Sequence, residues 1–473
     1  MKKTQLIAVL KTFGKKEHKF FVKWLASPVF NQRTDVQRLY KYLLQGNHLT
    51  ENKFLEKERV FKKIFPSIPF NDAKLRQTVH FLLKQVEDFL VYQQQKEDLL
   101  GQHLLLTKVY RKRKVPTAFQ RQIKIAQKAF SQTKEKNNRT LRLQYELGDE
   151  YITYIKEQPE KVSINFQESI DALDMYVVAE KLKQACHVIA HKKVFKSEFE
   201  IRFLPSILNS VKNDPQLIKQ PSIAVYFHGY LMQIEKDEPL AEKHYFYLRK
   251  LIEEKFNSFP DNERRDIYLM ALNFCIRKMH GGFQKFLREA FEMYKKGLDD
   301  YILIQEGILS SITYLNISTL AIRLKEFEWT KKFVANYSGF LETQDRENFK
   351  QYTLAKLLFE QKKYSEALEL LVQFESKHIL VNLNAKQMLI KMYYEQDKVD
   401  ILESLLDSLS IYLRRKEIIG YHKANYQNIV KYTRKLLRLN PFDKEKRAIL
   451  LKEIEETSPL TEQTWLLEQI DKL

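Results

Sequence analysis

Apolar residues along this chain recur at steps of three and four positions, the spacing that places them on one face of an α-helix. In residues 71–95 this stripe consists of Leu75, Val79, Leu82, Val86, Phe89 and Leu90. Asn71 and Asp72 precede it, and short polar side chains of this kind cap the free amides at the start of a helix. Because no segment keeps the alternating pattern of a strand, the sequence predicts an all-α fold.

The spacing of apolar residues in the first hundred or so positions predicts a compact helical domain. The aromatic residues of its first, basic helices are Phe13, Phe20, Phe21 and Trp24. A boundary is expected near residues 110–116, where a basic run precedes Pro116. A basic loop between two packed helices would give the same pattern.

Glycine and proline are scarce, since the 473 residues include 11 Gly and 12 Pro, well below the usual roughly 7 and 5 per cent. Folds with many tight turns need glycine at positive φ, whereas antiparallel helices can be joined with little of it. The composition therefore disfavours sandwiches, barrels and loop-rich enzymes. The length also exceeds one ordinary core, so we expect two or three domains or an extended repeat architecture.

A repeat is visible in the last third of the chain. Residues 352–371 align with residues 388–406 at a shift of 35, so that Glu360-Gln361 falls on Glu395-Gln396. Each copy has the pattern of a helix, a short polar turn and a second helix. The alignment predicts consecutive helical hairpins.

Small residues twelve positions apart mark these hairpins, because two helices cross there and a large side chain would hold their backbones apart. Ala355 and Ala367 hold these positions in the first copy, and Gly229 and Ala241 hold them in an upstream copy. A weaker unit places Thr330 where the first copy has its second alanine.

The copy at 352–371 resembles a tetratricopeptide (TPR) repeat. The residues at the characteristic positions of that repeat are Leu354, Ala355, Leu358, Ala367 and Leu371. The chain, including residues 179–195 and 404–418, also resembles a bacterial family of uncharacterised proteins with an N-terminal helical domain and degenerate TPR-like hairpins. The resemblance implies hairpins stacked into a solenoid with a long concave surface, and it implies no activity.

The expected architecture is a compact N-terminal helical domain followed by a TPR-like α-solenoid of stacked hairpins. We expect a basic domain at 1–115, the solenoid at 116–452 and an acidic C-terminal capping helix at 453–473. In TPR proteins the first helix of each hairpin lines the concave groove, so the resemblance makes residues there candidate groove contacts. These are Phe349, Tyr352, Lys356, Phe359, Lys391 and Tyr394. Without the resemblance, packing against the next hairpin explains the same side chains.

Positive charge is concentrated in the first third. The chain has a formal net charge of +20, and residues 1–140 carry 30 Lys and Arg against 11 Asp and Glu, a net +19. The candidate anion-binding residues are the run Arg111, Lys112, Arg113 and Lys114 with Arg121, Lys124 and Lys128 on one face of the next helix. A nucleic acid, an acidic protein or an anionic membrane would be attracted to this charge, and a merely solvated surface is the alternative.

Patterns of catalytic or cofactor sites are absent from the sequence. No glycine-rich phosphate loop and no nucleophile motif occurs, and the strongest metal-like set, Cys186, His187 and His191, lacks a further ligand nearby. We therefore expect no catalytic, cofactor or metal site. Two cysteines are too few for a disulfide framework, and no apolar run reaches the length of a transmembrane helix or a signal sequence, so a cytoplasmic protein is expected.

The sequence is compatible with two functions. The first is a non-catalytic interaction or scaffold protein that binds a protein or peptide in the groove of the solenoid. The second is an RNA- or ribosome-associated protein whose basic first third binds phosphate. An enzyme is disfavoured because every acid, base and metal pattern is missing, and function on a common fold depends on its site.

Overall fold

The computed structural model describes residues 1–158, 163, 165–195, 198–372, 374–376, 378–415 and 420–473. Over these residues the protein is all-α, as predicted, with 23 α-helices and one two-stranded hairpin. The chain divides into two compact units, Met1–Tyr226 and Phe227–Leu473, and the division falls within one helix.

The first unit is built from short helices followed by longer ones. They are α1 (Gln5–Leu10), α2 (Lys15–Ala26), α3 (Thr34–Leu43), α4 (Lys57–Ile64), α5 (Asp72–Glu97), α6 (Leu99–Lys112), α7 (Pro116–Gln132), α8 (Asn138–Lys156), α9 (Gln167–Val194), α10 (Leu204–Asn213) and α11 (Pro221–Ile234), whose last residues belong to the second unit.

The second unit continues the helical pattern around one small hairpin of strands. Its elements are α12 (Glu238–Lys255), α13 (Asp261–His280), α14 (Lys285–Asp299), β1 (Ile304–Gln305), β2 (Ile308–Leu309), α15 (Ser311–Arg323), α16 (Phe327–Tyr337), α17 (Arg346–Glu360), α18 (Tyr364–Leu371), α19 (Ile379–Glu395), α20 (Val399–Arg415), α21 (Gly420–Leu437), α22 (Lys444–Glu456) and α23 (Gln463–Lys472).

Helix α5 is the centre of the N-terminal core. Its predicted stripe is confirmed, since Leu82, Val86 and Phe89 are fully buried, and the Asn71 side chain accepts a hydrogen bond from the Lys74 amide at 2.9 Å. Phe21 of α2 packs against the ring of Phe89, with 5.0 Å between centroids. Apolar spacing and capping therefore agree on where this helix begins and which face it buries.

The expected boundary near residue 115 lies in the turn of a packed hairpin. Lys114 has a left-handed backbone with φ of 55°, and the Val115 amide donates to the Tyr110 carbonyl at 3.2 Å. Leu104 of α6 and Phe119 of α7 belong to one core cluster. The first compact unit therefore continues past this turn, which corresponds to the alternative of a basic loop between packed helices.

Three hairpins of the second unit share one turn geometry. In α15–α16, α17–α18 and α19–α20 the turn residues are Lys325, Lys362 and Asp397, with φ of 60°, 58° and 53°. In each turn the next amide donates to a carbonyl five residues earlier at 2.9 Å, which closes the end of the first helix. Lys362 and Asp397 are 35 positions apart, the shift found in the sequence.

The second helix of each hairpin enters the core at an equivalent position. Thr330, Ala367 and Leu402 each lie five residues after the turn residue, and each is fully buried. Thr330 and Ala367 therefore lie at the same position relative to the preceding turn. At the third position the buried residue is the larger Leu402, so the site is not occupied by a small residue in every hairpin.

Replacing Ala367 by leucine should destabilise the protein by about 1 to 3 kcal/mol, because a larger side chain must displace a close-packed core. The Ala367 side chain has no exposed surface, whereas Glu369 on the same helix is exposed. Urea unfolding of Ala367→Leu and of the control Glu369→Leu would measure the difference. Equal midpoints for the two variants would show that the crossing is not tightly packed.

Candidate functional site

The basic residues predicted to bind anions lie together on the α6–α7 hairpin. Lys112 ends α6, and Arg113 and Lys114 follow in the turn. All three are exposed, as are the three cations of α7. The opposite face of α7 is buried through Phe119 and Ala126. The predicted separation into one packing face and one basic face is confirmed.

Six of the seven predicted cations are available to a ligand. Among the residues that the structure describes, no carboxylate forms an ion pair with Lys112, Arg113, Lys114, Arg121, Lys124 or Lys128. A cleft of about 420 Å³ lies beside them, lined by Tyr110, Thr117, Ala118, Arg121, Gln122 and Ile125. We call the six exposed lysines and arginines, Lys112, Arg113, Lys114, Arg121, Lys124 and Lys128, the hairpin cations.

Arg111 is a correction to the predicted patch. Its Nε donates to Glu150 of α8 at 2.8 Å, and its Nη1 donates to Glu157 at 2.7 Å. The side chains of Arg111 and Glu150 are only 16% and 11% exposed. The hydrogen bond from the Glu150 carboxylate raises the pKa of Arg111, so this arginine joins α6 to α8 and is not free for a phosphate.

Three of the six predicted groove contacts are also corrected. Phe349, Tyr352 and Phe359 are buried, and the Phe359 ring stacks on Tyr364 at 5.7 Å between centroids. The Phe349 ring meets His378 edge-on. These three rings are therefore packed, Phe359 within its own hairpin and Phe349 against the next hairpin, which was the alternative considered from the sequence.

The other three groove candidates are partly exposed. Lys356 Nζ donates to Thr319 Oγ1 at 3.1 Å. Lys391 Nζ lies 2.8 Å from Glu462 Oε2, and its side chain is 14% exposed. The Tyr394 ring packs edge-on against Trp465 at 5.4 Å.

Residues 459–465, which we call the C-terminal segment, lie along the face of α19 and α21. The Asn428 side chain donates to the Pro459 carbonyl at 2.8 Å, and the Thr461 amide donates to the side chain of Asn425. These two contacts fix the backbone of the segment against α21.

Two side chains of the segment are held by α19. Gln387 Nε2 donates to Glu462 Oε1 at 2.6 Å, and Lys391 Nζ donates to the other carboxylate oxygen, Oε2. Trp465 Nε1 donates to Glu395 Oε1 at 2.8 Å. Sequence reasoning missed this arrangement because the partners lie 70 to 75 positions apart.

A larger cleft of about 970 Å³ lies beside α13 and the β1–β2 hairpin. Arg265 and Lys296 line it together with Asp261, Asp300 and Glu306. Because charges of both signs face the cleft, its electrostatics select neither an anion nor a cation. Sequence reasoning did not find it, since its walls come from separate helices.

Cys186 and Cys275 are both buried, and neither forms a disulfide. Burial raises the pKa of the Cys275 thiol to about 12, so the reactive thiolate is suppressed. His187 is exposed, and the His191 ring stacks on Phe195 at 4.7 Å. Within the described parts of the chain, no group of three side chains could hold a metal ion.

Comparison with known proteins gives no relative: no family model, no curated protein and no solved structure matches this chain. A search of the described helices finds none with the length and apolar character needed to cross a membrane.

Proposed function

We propose that this chain is a non-catalytic cytoplasmic interaction protein whose first unit binds RNA. The observation that supports the proposal is the set of hairpin cations, which are exposed and form no ion pair within the described residues. They lie in the part of the chain that carries a net +19, from 30 basic and 11 acidic residues. A surface of this kind attracts phosphate without reading sequence.

The spacing of the cations favours a phosphate backbone over a single small anion. Arg121, Lys124 and Lys128 follow one another at steps of three and four on the exposed side of α7, so they form a row along the helix. The exposed turn residues extend this row beyond the start of α7. Successive phosphates of a strand match such an extended row better than one compact anion does.

Fluorescence anisotropy with a labelled 20-nucleotide RNA tests the proposal. The affinity should be measurable at about 50 mM salt and should fall log-linearly as salt increases, because each neutralised phosphate releases counterions. A DNA of the same length serves as the comparison. Failure of both RNA and DNA to bind at low salt would reject the nucleic-acid proposal.

A protein or peptide partner is the second candidate, and the C-terminal segment favours it. We propose that the hairpins of α15–α20 are TPR-like units of a solenoid and that the face of α19 and α21 recognises a peptide carrying a carboxylate and, three residues later, an indole. Glu462 and Trp465 have this spacing, and both are held by side chains of α19. The segment then acts as an internal occupant of a peptide site.

A peptide with the sequence of residues 457–467 should bind Glu462→Ala more tightly than the wild-type chain. The substitution removes the carboxylate that Gln387 and Lys391 hold, so the segment competes less well for the face. The control peptide carries alanine at the two anchor positions and should not bind. Equal affinities of both peptides for the folded variant would reject the second candidate.

A further inference from the structure

Four aromatic rings form a continuous row on the surface of the first unit. Phe30 stacks on Trp24 with 3.7 Å between centroids and 8° between planes. Trp24 meets Tyr92 at 5.3 Å, and Tyr92 meets Phe20 at 6.2 Å. We call Phe20, Trp24, Phe30 and Tyr92 the aromatic row.

The two end rings of the row are open to solvent. Phe20 is 43% exposed and Phe30 is 44% exposed, while Phe21 and Phe89 beside them have no exposed surface. A phenylalanine gains stability by burial. Phe20 also meets the buried ring of Phe89 edge-on at 5.3 Å, so burial in the core accounts for only part of these two rings.

The row is held in a fixed orientation. Trp24 is 7% exposed, and its Nε1 donates to Gln85 Oε1 at 3.1 Å. The indole of Trp24 covers one face of the Phe30 ring, because the two planes are nearly parallel. A ring supported in this way offers its outer face to a further stacking partner without having to be ordered on binding.

Lysines surround the row. Lys16 and Lys23 lie four residues before and three residues after Phe20, which places them on the same side of α2. Lys96 Nζ lies 5.8 Å from the Tyr92 ring centroid. All three lysines are exposed, and Asp88, one turn before Tyr92 on α5, is the acid nearest to that ring in the sequence.

We propose that the aromatic row binds the bases of a single-stranded nucleic acid while Lys16, Lys23 and Lys96 contact its phosphates. Rings that stack on bases beside cations that contact the backbone are the two components of sequence-tolerant single-strand binding. A duplex does not expose its base faces, so the row should favour single strands. The inference rests on the proposed function, because it specifies the form of nucleic acid bound.

The test compares the wild-type chain with Phe20→Ala/Phe30→Ala, using a labelled 20-nucleotide poly(U) and an RNA duplex of equal length. Loss of the two stacks should weaken poly(U) binding by about 10-fold or more and leave duplex binding unchanged. The slope of affinity against salt should stay the same, because the lysines remain. Phe70→Ala is the matched control, since Phe70 is 45% exposed and lies outside the row.

The outcomes separate this inference from the proposed function. If the wild-type chain binds neither RNA, the proposed function fails and the inference fails with it. If the wild-type chain binds RNA but the double variant binds poly(U) equally well, only the inference is overturned. Phe20→Leu/Phe30→Leu keeps apolar bulk without an aromatic face and should lose affinity as the alanine variant does, which excludes a folding defect.

A second copy of the chain is the competing occupant of an exposed aromatic surface. Sedimentation velocity over a range of protein concentrations distinguishes it. A wild-type dimer that Phe20→Ala/Phe30→Ala converts to monomer would overturn the inference. A monomer in both cases, with the loss of poly(U) affinity described above, supports it.

Discussion

Reversing the charge of the six hairpin cations is expected to abolish RNA binding. The variant carries glutamate at Lys112, Arg113, Lys114, Arg121, Lys124 and Lys128, all of them exposed. Each phosphate contact that is lost removes about 0.7 from the slope of log affinity against log salt for a single strand. Anisotropy at about 50 mM salt should then show no binding, whereas the circular dichroism spectrum should stay helical because none of these side chains is in the core.

Arg111→Ala is the control that separates charge from structure. Its ion pairs with Glu150 and Glu157 are partly sheltered from solvent, so the loss leaves a carboxylate without its partner and should cost about 1 to 3 kcal/mol of stability. RNA affinity measured well below the unfolding temperature should change little. A large loss of affinity in Arg111→Ala with unchanged stability would show that this arginine contacts the ligand instead.

The sequence could not distinguish Arg111 from its three basic neighbours. All four residues belong to one run, and the acids that pair with Arg111 lie 39 and 46 positions later, Glu150 on α8 and Glu157 directly after its end. The period of α7, in contrast, is a local property, and it predicted both the buried and the exposed side of that helix. Local spacing therefore predicts the basic patch, whereas the long-range ion pairs of Arg111 show that this one residue of the patch is structural.

The groove candidates also show that local spacing is predictable from the sequence while long-range packing is not. Spacing and the TPR resemblance placed Phe349, Tyr352 and Phe359 on the first helix of a hairpin, which is where they lie. Whether that side of the helix faces solvent depends on what packs against it, and here it is buried. In the aromatic row an exposed ring was missed. Phe20 and Phe21 are adjacent and look alike in sequence, but only Phe21 is buried in the core.

A partly buried histidine pair predicts a response to acid. His228 of α11 and His244 of α12 face each other with 2.8 Å between their Nδ1 atoms, and the His228 ring stacks on Tyr247 at 4.9 Å. One of the two facing nitrogens must accept the hydrogen bond, which requires a neutral ring. Burial, and then the charge of His244, lower the pKa of His228 to about 4.

Stability should therefore fall as pH is lowered from about 6.5 toward about 4. In this interval the unfolded chain binds a proton at its ordinary histidine pKa while folded His228 does not, so protonation favours the unfolded state. At pH 5 this linkage amounts to about 2 kcal/mol. The urea midpoint should be much lower at pH 5 than at pH 7.5 for the wild-type chain, and this difference should be smaller for His228→Gln. The control His187→Gln removes an exposed histidine and should keep the wild-type separation; if His228→Gln kept it as well, the pair would have no part in the acid response.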